Sequence, residues 1–246
     1  STLNEAIDWL RYTYLFVRFF KAPQKYGIAV HELAADPHLL HFREKIIRAA
    51  AETLCGAKLI RISNGFRFAA TEIGRVAAKF YIRYETAELF ANKIRWDMTD
   101  AEIIELVAGA HEFQQMKCRE EEMEELERVS VDKLICPVKK IRGGGVSSIA
   151  GKVSVLLQVY ISRNYFFSSS SLASDSNYIT QNINRLFRAL FRISQGVCAQ
   201  RLLEWCKCVE RRLWGEANFF AHYCSSPSWT VSPPNVKLLN QSVVDK

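Results

Sequence analysis

Three arginines, Arg185, Arg188 and Arg192, follow Gln181 in steps of four, three and four, so in a helix all four share one side, with Tyr178 beside them. No aspartate or glutamate occurs between residues 176 and 203, which leaves this row without a carboxylate in local helical reach. A cationic stripe on a helix anchored by its opposite face can hold phosphates, and the Tyr178 ring offers a surface for base stacking. The competing reading is a solvated outer face, or arginines paired with carboxylates that the fold brings in from elsewhere.

For such a stripe to act, its helix must be fixed from behind. Ile179, Ile183, Leu186, Leu190 and Ile193 step by four, three, four and three, and Phe187 and Phe191 widen this apolar side. Asp175 or Ser176 is placed to cap the start and Gly196 to end the helix in a left-handed turn, which predicts a helix over about 174–195. Support is expected from the stretch holding Val153, Val155, Leu156, Leu157, Tyr160 and Ile161, apolar on nearly every side as in a central core helix. A last amphipathic helix carries Leu202, Leu203, Cys206, Val209, Leu213 and Trp214, with Glu204, Lys207, Glu210 and Arg211 outside at spacings suited to ion pairs.

Upstream, Ile7, Leu10, Tyr14 and Val17 predict one deeply packed helix over about 4–20, stopped by Pro23 and Gly27. Asp36 before Pro37 predicts the start of a second helix reaching Gly56. Residues 59–62 and 66–68 flank Ser63, Asn64 and Gly65, the turn chemistry of a β-hairpin. Helices followed by a small hairpin suggest a winged helix. Thr71 is placed to cap a third helix, whose small residues Gly74, Ala77 and Ala78 would admit a neighbouring helix. Thr99 and Glu102 form a capping box before a helix carrying Ile103, Ile104, Val107, Phe113 and Met116 on its buried face. The glutamate run at 120–127 reads as a solvated helix face, residues 137–150 as a mobile basic, glycine-rich loop, and residues 215–246 as a poorly ordered tail.

Several chemistries are set aside. Hydrophobic residues make up 49% of the 246-residue chain, enough for a substantial core, and a net charge of +7 permits an acidic partner without demanding one. The seven cysteines form no Cys-x-x-Cys pair, and neither a signal peptide nor a long apolar span is present, so a reducing compartment, nucleus or cytosol, is expected without membrane contact. His31, His38, His41, His111 and His222 present no metal-ligand pair. Gly145, Gly151 and Lys152 miss the phosphate-loop pattern, because five residues separate the glycines where four are required and Val153 replaces the Ser/Thr. Cys206 reads as a buried structural thiol, and no catalytic residue or cofactor site is expected.

Six collinear stretches, YTYLFVR (12–18), TEIGRVAAKFYI (71–82), REEEMEEL (119–126), GKVSVLLQVYISR (151–163), SLASDSNYITQNINRLFRALF (171–191) and ERRLW (210–214), resemble the region that follows the RecA-like motor in Ski2-like helicases carrying Sec63 units. The resemblance covers about residues 5–214. It implies a winged helix lacking its opening helix at 1–70 and a Sec63-type helical bundle at 71–214. Within the bundle, the ratchet helix at about 174–195 would touch the strand leaving the motor. By motif position it assigns Gln181, Asn182, Arg185 and Arg188 to strand contact, while Arg192 stands where the family more often has glutamate. The expected fold is therefore mainly α, a truncated winged helix with a small β-hairpin packed on a helical bundle. The implied function is a non-catalytic accessory region of an ATP-dependent RNA or DNA helicase that guides single strands. The alternative is a protein-interaction scaffold within a helicase-containing complex. Single-stranded RNA or DNA, RecA-like motor domains and other complex subunits are the expected partners. ATP and Mg would belong to the motor domains, whose Walker motif this sequence lacks. From Gly215 the sequence is expected to depart from the family, as in a fragment or truncated product.

Overall fold

In the computed structural model, which describes residues 1–132, 134, 136, 145–163 and 167–214, two short helices, α1 (Leu3–Leu10) and α2 (Tyr14–Lys21), replace the single N-terminal helix expected. Thr13 makes the break. Its hydroxyl donates to Leu10 O at 2.7 Å and accepts from Phe16 N at 3.4 Å, closing one helix and capping the next. Packing is also shallower than expected, with Ile7, Leu10 and Phe19 buried but Tyr14, Leu15, Val17 and Phe20 exposed. After α3 (Val30–Ala35), α4 (Leu40–Gly56) starts later than the Asp36–Pro37 signal predicts. Asp36 still acts as a cap, from further back, accepting from His41 N at 2.9 Å. The buried Arg43 guanidinium ties α4 to α1 by donating to Ile7 O at 2.9 Å.

The hairpin forms as expected from β1 (Ile60–Ser63) and β2 (Arg67–Ala70), antiparallel with Ile60 opposite Ala70. Thr71 then caps α5 (Glu72–Phe80), accepting from Gly74 N at 3.1 Å. Gly74 is small for a reason the sequence did not supply, since a Cβ there would stand 2.0 Å from Leu59 O. The backbone just before β1, not a helix, approaches it. Gly74→Ala is therefore expected to cost about 1–3 kcal/mol, seen as an earlier urea midpoint by circular dichroism. An unchanged midpoint would mean that α5 stands further from the hairpin.

The rest of the described chain is helical, with α6 (Tyr84–Lys93), α7 (Asp100–Ala108), α8 (Glu120–Asp132), α9 (Ile149–Ser162), α10 (Ser170–Ile193) and α11 (Gly196–Arg211). The Thr99–Glu102 capping box opens α7 as expected, but the helix stops at Ala108 and Phe113 is buried from a separate 3-10 turn, His111–Phe113. The buried Glu112 carboxylate accepts from Arg83 N at 2.9 Å and Thr86 Oγ1 at 2.5 Å, closing the start of α6. α9 is buried on nearly every side and α10 packs on it, on α5 and on α11. Phe187 of α10 stacks on Trp205 of α11 at 5.7 Å, and Trp214 meets Trp205 edge-on at 5.5 Å. This continuous core runs from Phe90 to Val209, while Phe19, Ile28 and Leu39 centre a smaller one between the first helices. The molecule is thus mainly α with one small antiparallel sheet, the expected fold class. Among the described residues no helix is long and apolar enough to cross a membrane. Residues 137–144 and the tail at 215–246 lie outside the described residues.

Candidate nucleic-acid interface

α10 begins at Ser170, earlier than its Asp175 and Ser176 signals predict. Its start is held from outside. Ser168 N and Ser169 N donate to the Glu125 carboxylate at 2.8 and 3.3 Å, and the Ser171 hydroxyl donates to Glu122. The glutamate run is therefore not simply a solvated face, because α8 turns two of its carboxylates to the electropositive end of α10. Asp175, not needed as a cap, meets the fully buried Lys152 instead. The Lys152 ammonium donates to Asp175 Oδ2 at 2.6 Å, to Glu122 Oε2 at 2.5 Å and to Lys117 O at 2.9 Å. Arg119 Nη1 adds a bond to Glu122 at 2.6 Å, so two cations balance two carboxylates. Burial works to raise the Glu122 pKa, but the bonds from Lys152, Ser171 and Arg119 outweigh it and hold it down to about 2. At the other end Ser194 is extended, and Gly196, at φ +61°, opens α11 rather than closing α10.

The residues assigned to strand contact divide into two groups. Asn182 is buried, its Nδ2 donating to Tyr178 O at 2.8 Å and its Oδ1 accepting from Arg185 Nη2 at 2.5 Å. Arg185 Nη1 donates to Tyr81 O at 2.7 Å, where α5 ends in a left-handed turn at φ +52°. Arg185 is thus a strut between α10 and the carbonyl end of α5. Tyr178 leans the same way, donating its hydroxyl to Glu112 O at 3.0 Å with its ring edge-on to Phe113 at 6.5 Å, and it stays 39% exposed.

Gln181, Arg188 and Arg192 form the exposed group. Arg188 pairs with Glu210 of α11 at 3.2 Å, the two side chains 52% and 59% exposed. For this residue the competing reading holds, since a distant carboxylate is its partner. A pair this exposed is weak, so a phosphate can take the place of Glu210. Arg192 makes no side-chain hydrogen bond or ion pair among the described residues and faces a cleft beside the hairpin. The next arginine in the chain, Arg201 of α11, donates to Met98 O. Burial pushes the Cys206 thiol up to about 11, so it stays protonated at neutral pH. Among the described residues no group of His, Cys, Asp and Glu is placed to hold a metal ion.

A family model described as the Sec63 Brl domain matches residues 70–244. The match continues past Trp214, where the likeness was expected to stop. The chain is 40% identical over 219 residues to a DExH-box ATP-dependent RNA helicase, DExH14, of Arabidopsis thaliana, covering 87% of this chain and 10% of that protein. It is 39% identical over 219 residues to the RQC trigger complex helicase SLH1 of Saccharomyces cerevisiae, covering 87% and 11%. With activating signal cointegrator 1 complex subunit 3 of Gallus gallus it shares 38% identity over 242 residues, covering 96% and 10%. The chain spans about a tenth of the length of these curated relatives.

Proposed function

We propose, because the chain belongs to the Sec63 Brl-domain family of Ski2-like helicases, that α10 guides a single nucleic-acid strand for a helicase motor, with Gln181, Arg188 and Arg192 touching the strand. Tyr178, Asn182 and Arg185 hold that face in position. The observation that carries the reading is that Gln181, Arg188 and Arg192 are exposed on one face of a helix packed elsewhere against α5, α9 and α11, with Arg192 unpaired among the described residues. A phosphate would displace Glu210 at Arg188, and both arginines would release condensed cations from the strand, giving a hold that ignores base sequence, as a moving strand requires. RNA is the strand to test first, since DExH14 is named an RNA helicase. RecA-like motor domains, which would bring ATP and Mg, and other subunits of a nuclear or cytosolic helicase complex are the remaining proposed partners.

A labelled oligouridylate titrated against the chain by fluorescence anisotropy tests the reading. Two arginine–phosphate contacts on a single strand predict a log–log salt slope of about −1.4; a slope near zero would count against it. The scaffold reading draws on α2, whose exposed Tyr14, Leu15, Val17 and Phe20 offer another protein an apolar face. It predicts no strand binding.

A further inference from the structure

We infer that the cleft between the hairpin and the end of α10 is a second site for the same strand, taking one nucleotide with its phosphate at Lys58, Arg61 and Arg192. This rests on the strand-guide reading and extends its path by one element. The cleft has a volume of about 790 Å³, within the range of pockets that hold small organic ligands. Three elements bring its cations together. Lys58 lies just before β1 at φ +58°, Arg61 is on β1, and Arg192 is on α10. None of the three side chains makes a hydrogen bond or ion pair among the described residues, and Glu72 is the one acidic residue lining the cleft. Three cations held together against one carboxylate favour an anion.

The remaining lining narrows the choice. The hydroxyls of Thr71 and Ser194 are already committed, donating at 2.8 Å to Lys58 O and to Phe191 O. Ile60, Ile73, Ile94 and Ile193 supply apolar surface. An anionic group with a flat, largely apolar body answers both demands, and a nucleotide is such a group: base against the isoleucines, phosphate on the cations. An acidic peptide would meet the charge but leave the isoleucines uncovered. Arg192 belongs to both surfaces, so a strand leaving Arg188 reaches the cleft within one helical turn.

The test uses the whole chain, a labelled oligouridylate and a Lys58→Glu, Arg61→Glu double variant, with Arg188→Glu for comparison. Both cleft residues are exposed, and unchanged circular dichroism would verify the fold. The cleft variant should bind at least about tenfold more weakly and lose about 0.7, one phosphate's share, from the salt slope. A second readout needs no variant. Cys55 lines the cleft, and the oligouridylate should slow its reaction with a maleimide, followed by peptide mass spectrometry. Wild-type affinity in the cleft variant with an unprotected Cys55, while Arg188→Glu binds weakly, would overturn the cleft site and leave the guide standing. Absence of binding by the wild-type chain would overturn both. A polyglutamate peptide that protects Cys55 as well as the oligouridylate does would overturn the assignment to a nucleotide.

Discussion

Lys152→Met is expected to destabilise the chain by about 3–5 kcal/mol, the cost of removing one partner from a buried ion cluster. For a domain of this size the thermal midpoint should fall by roughly 6–20 °C. The ammonium is fully buried and touches both Glu122 and Asp175, so methionine would leave two carboxylates facing each other with Arg119 alone to balance them. Adding Glu122→Gln and Asp175→Asn should recover part of the loss, because neutral amides need no counter-ion. The same cluster predicts acid sensitivity. Glu122 is held at about 2 against an ordinary value near 4.5, so its contribution of about 3 kcal/mol is fully present above 4.5 and is lost as pH falls towards 2. Without Lys152 that acid-side decline should shrink. Thermal melts of both proteins between pH 7 and pH 3 measure it, and equal midpoints would contradict the account.

Arg185→Glu should lower stability by about 2–3 kcal/mol, whatever it does to binding. The guanidinium donates to Tyr81 O and Asn182 Oδ1, and a carboxylate in its place would confront two acceptors across the α10–α5 contact. Arg185→Lys, keeping charge and one donor, should recover part of the loss. Arg188→Glu should cost far less, since it removes an exposed pair. Urea titrations separate the two, and equal midpoints for Arg185→Glu and Arg188→Glu would deny Arg185 its strut role. Loss of binding in an Arg185 variant therefore says little about strand contact.

What could be read in the sequence was local. The hairpin around Ser63–Asn64–Gly65, the Thr71 cap, the Thr99–Glu102 box and the apolar run of α9 from Val153 to Ile161 each announce themselves within a few residues, and the structure has them. The break at Thr13 leaves no sign in the sequence, because the apolar period runs through it unbroken. Glu122 reads as solvated in the sequence because its partners Lys152 and Ser171 lie 30 and 49 residues away, and nothing in a run of glutamates marks the one that turns inward. The start of α10 is hidden for the same reason, since Glu125 holds it from another helix. Within the candidate site the face of α10 was legible from its periodicity, but the division into struts and free side chains was not. That division depends on Tyr81 and Glu210, which only the fold brings to Arg185 and Arg188. The cleft had no sequence signature, because Arg192 lies far along the chain from Lys58 and Arg61.

The central claim is that the exposed arginines of α10, not the chain's general positive charge, hold the strand. The most direct measurement is the oligouridylate titration of an Arg188→Glu, Arg192→Glu double variant beside a variant with two exposed arginines reversed outside α10, Arg11→Glu just after α1 and Arg67→Glu on β2. The account predicts at least about tenfold weaker binding and a salt slope shallower by about 1.4 in the α10 variant alone, with helical content unchanged in both. Equal weakening by the two variants would contradict it.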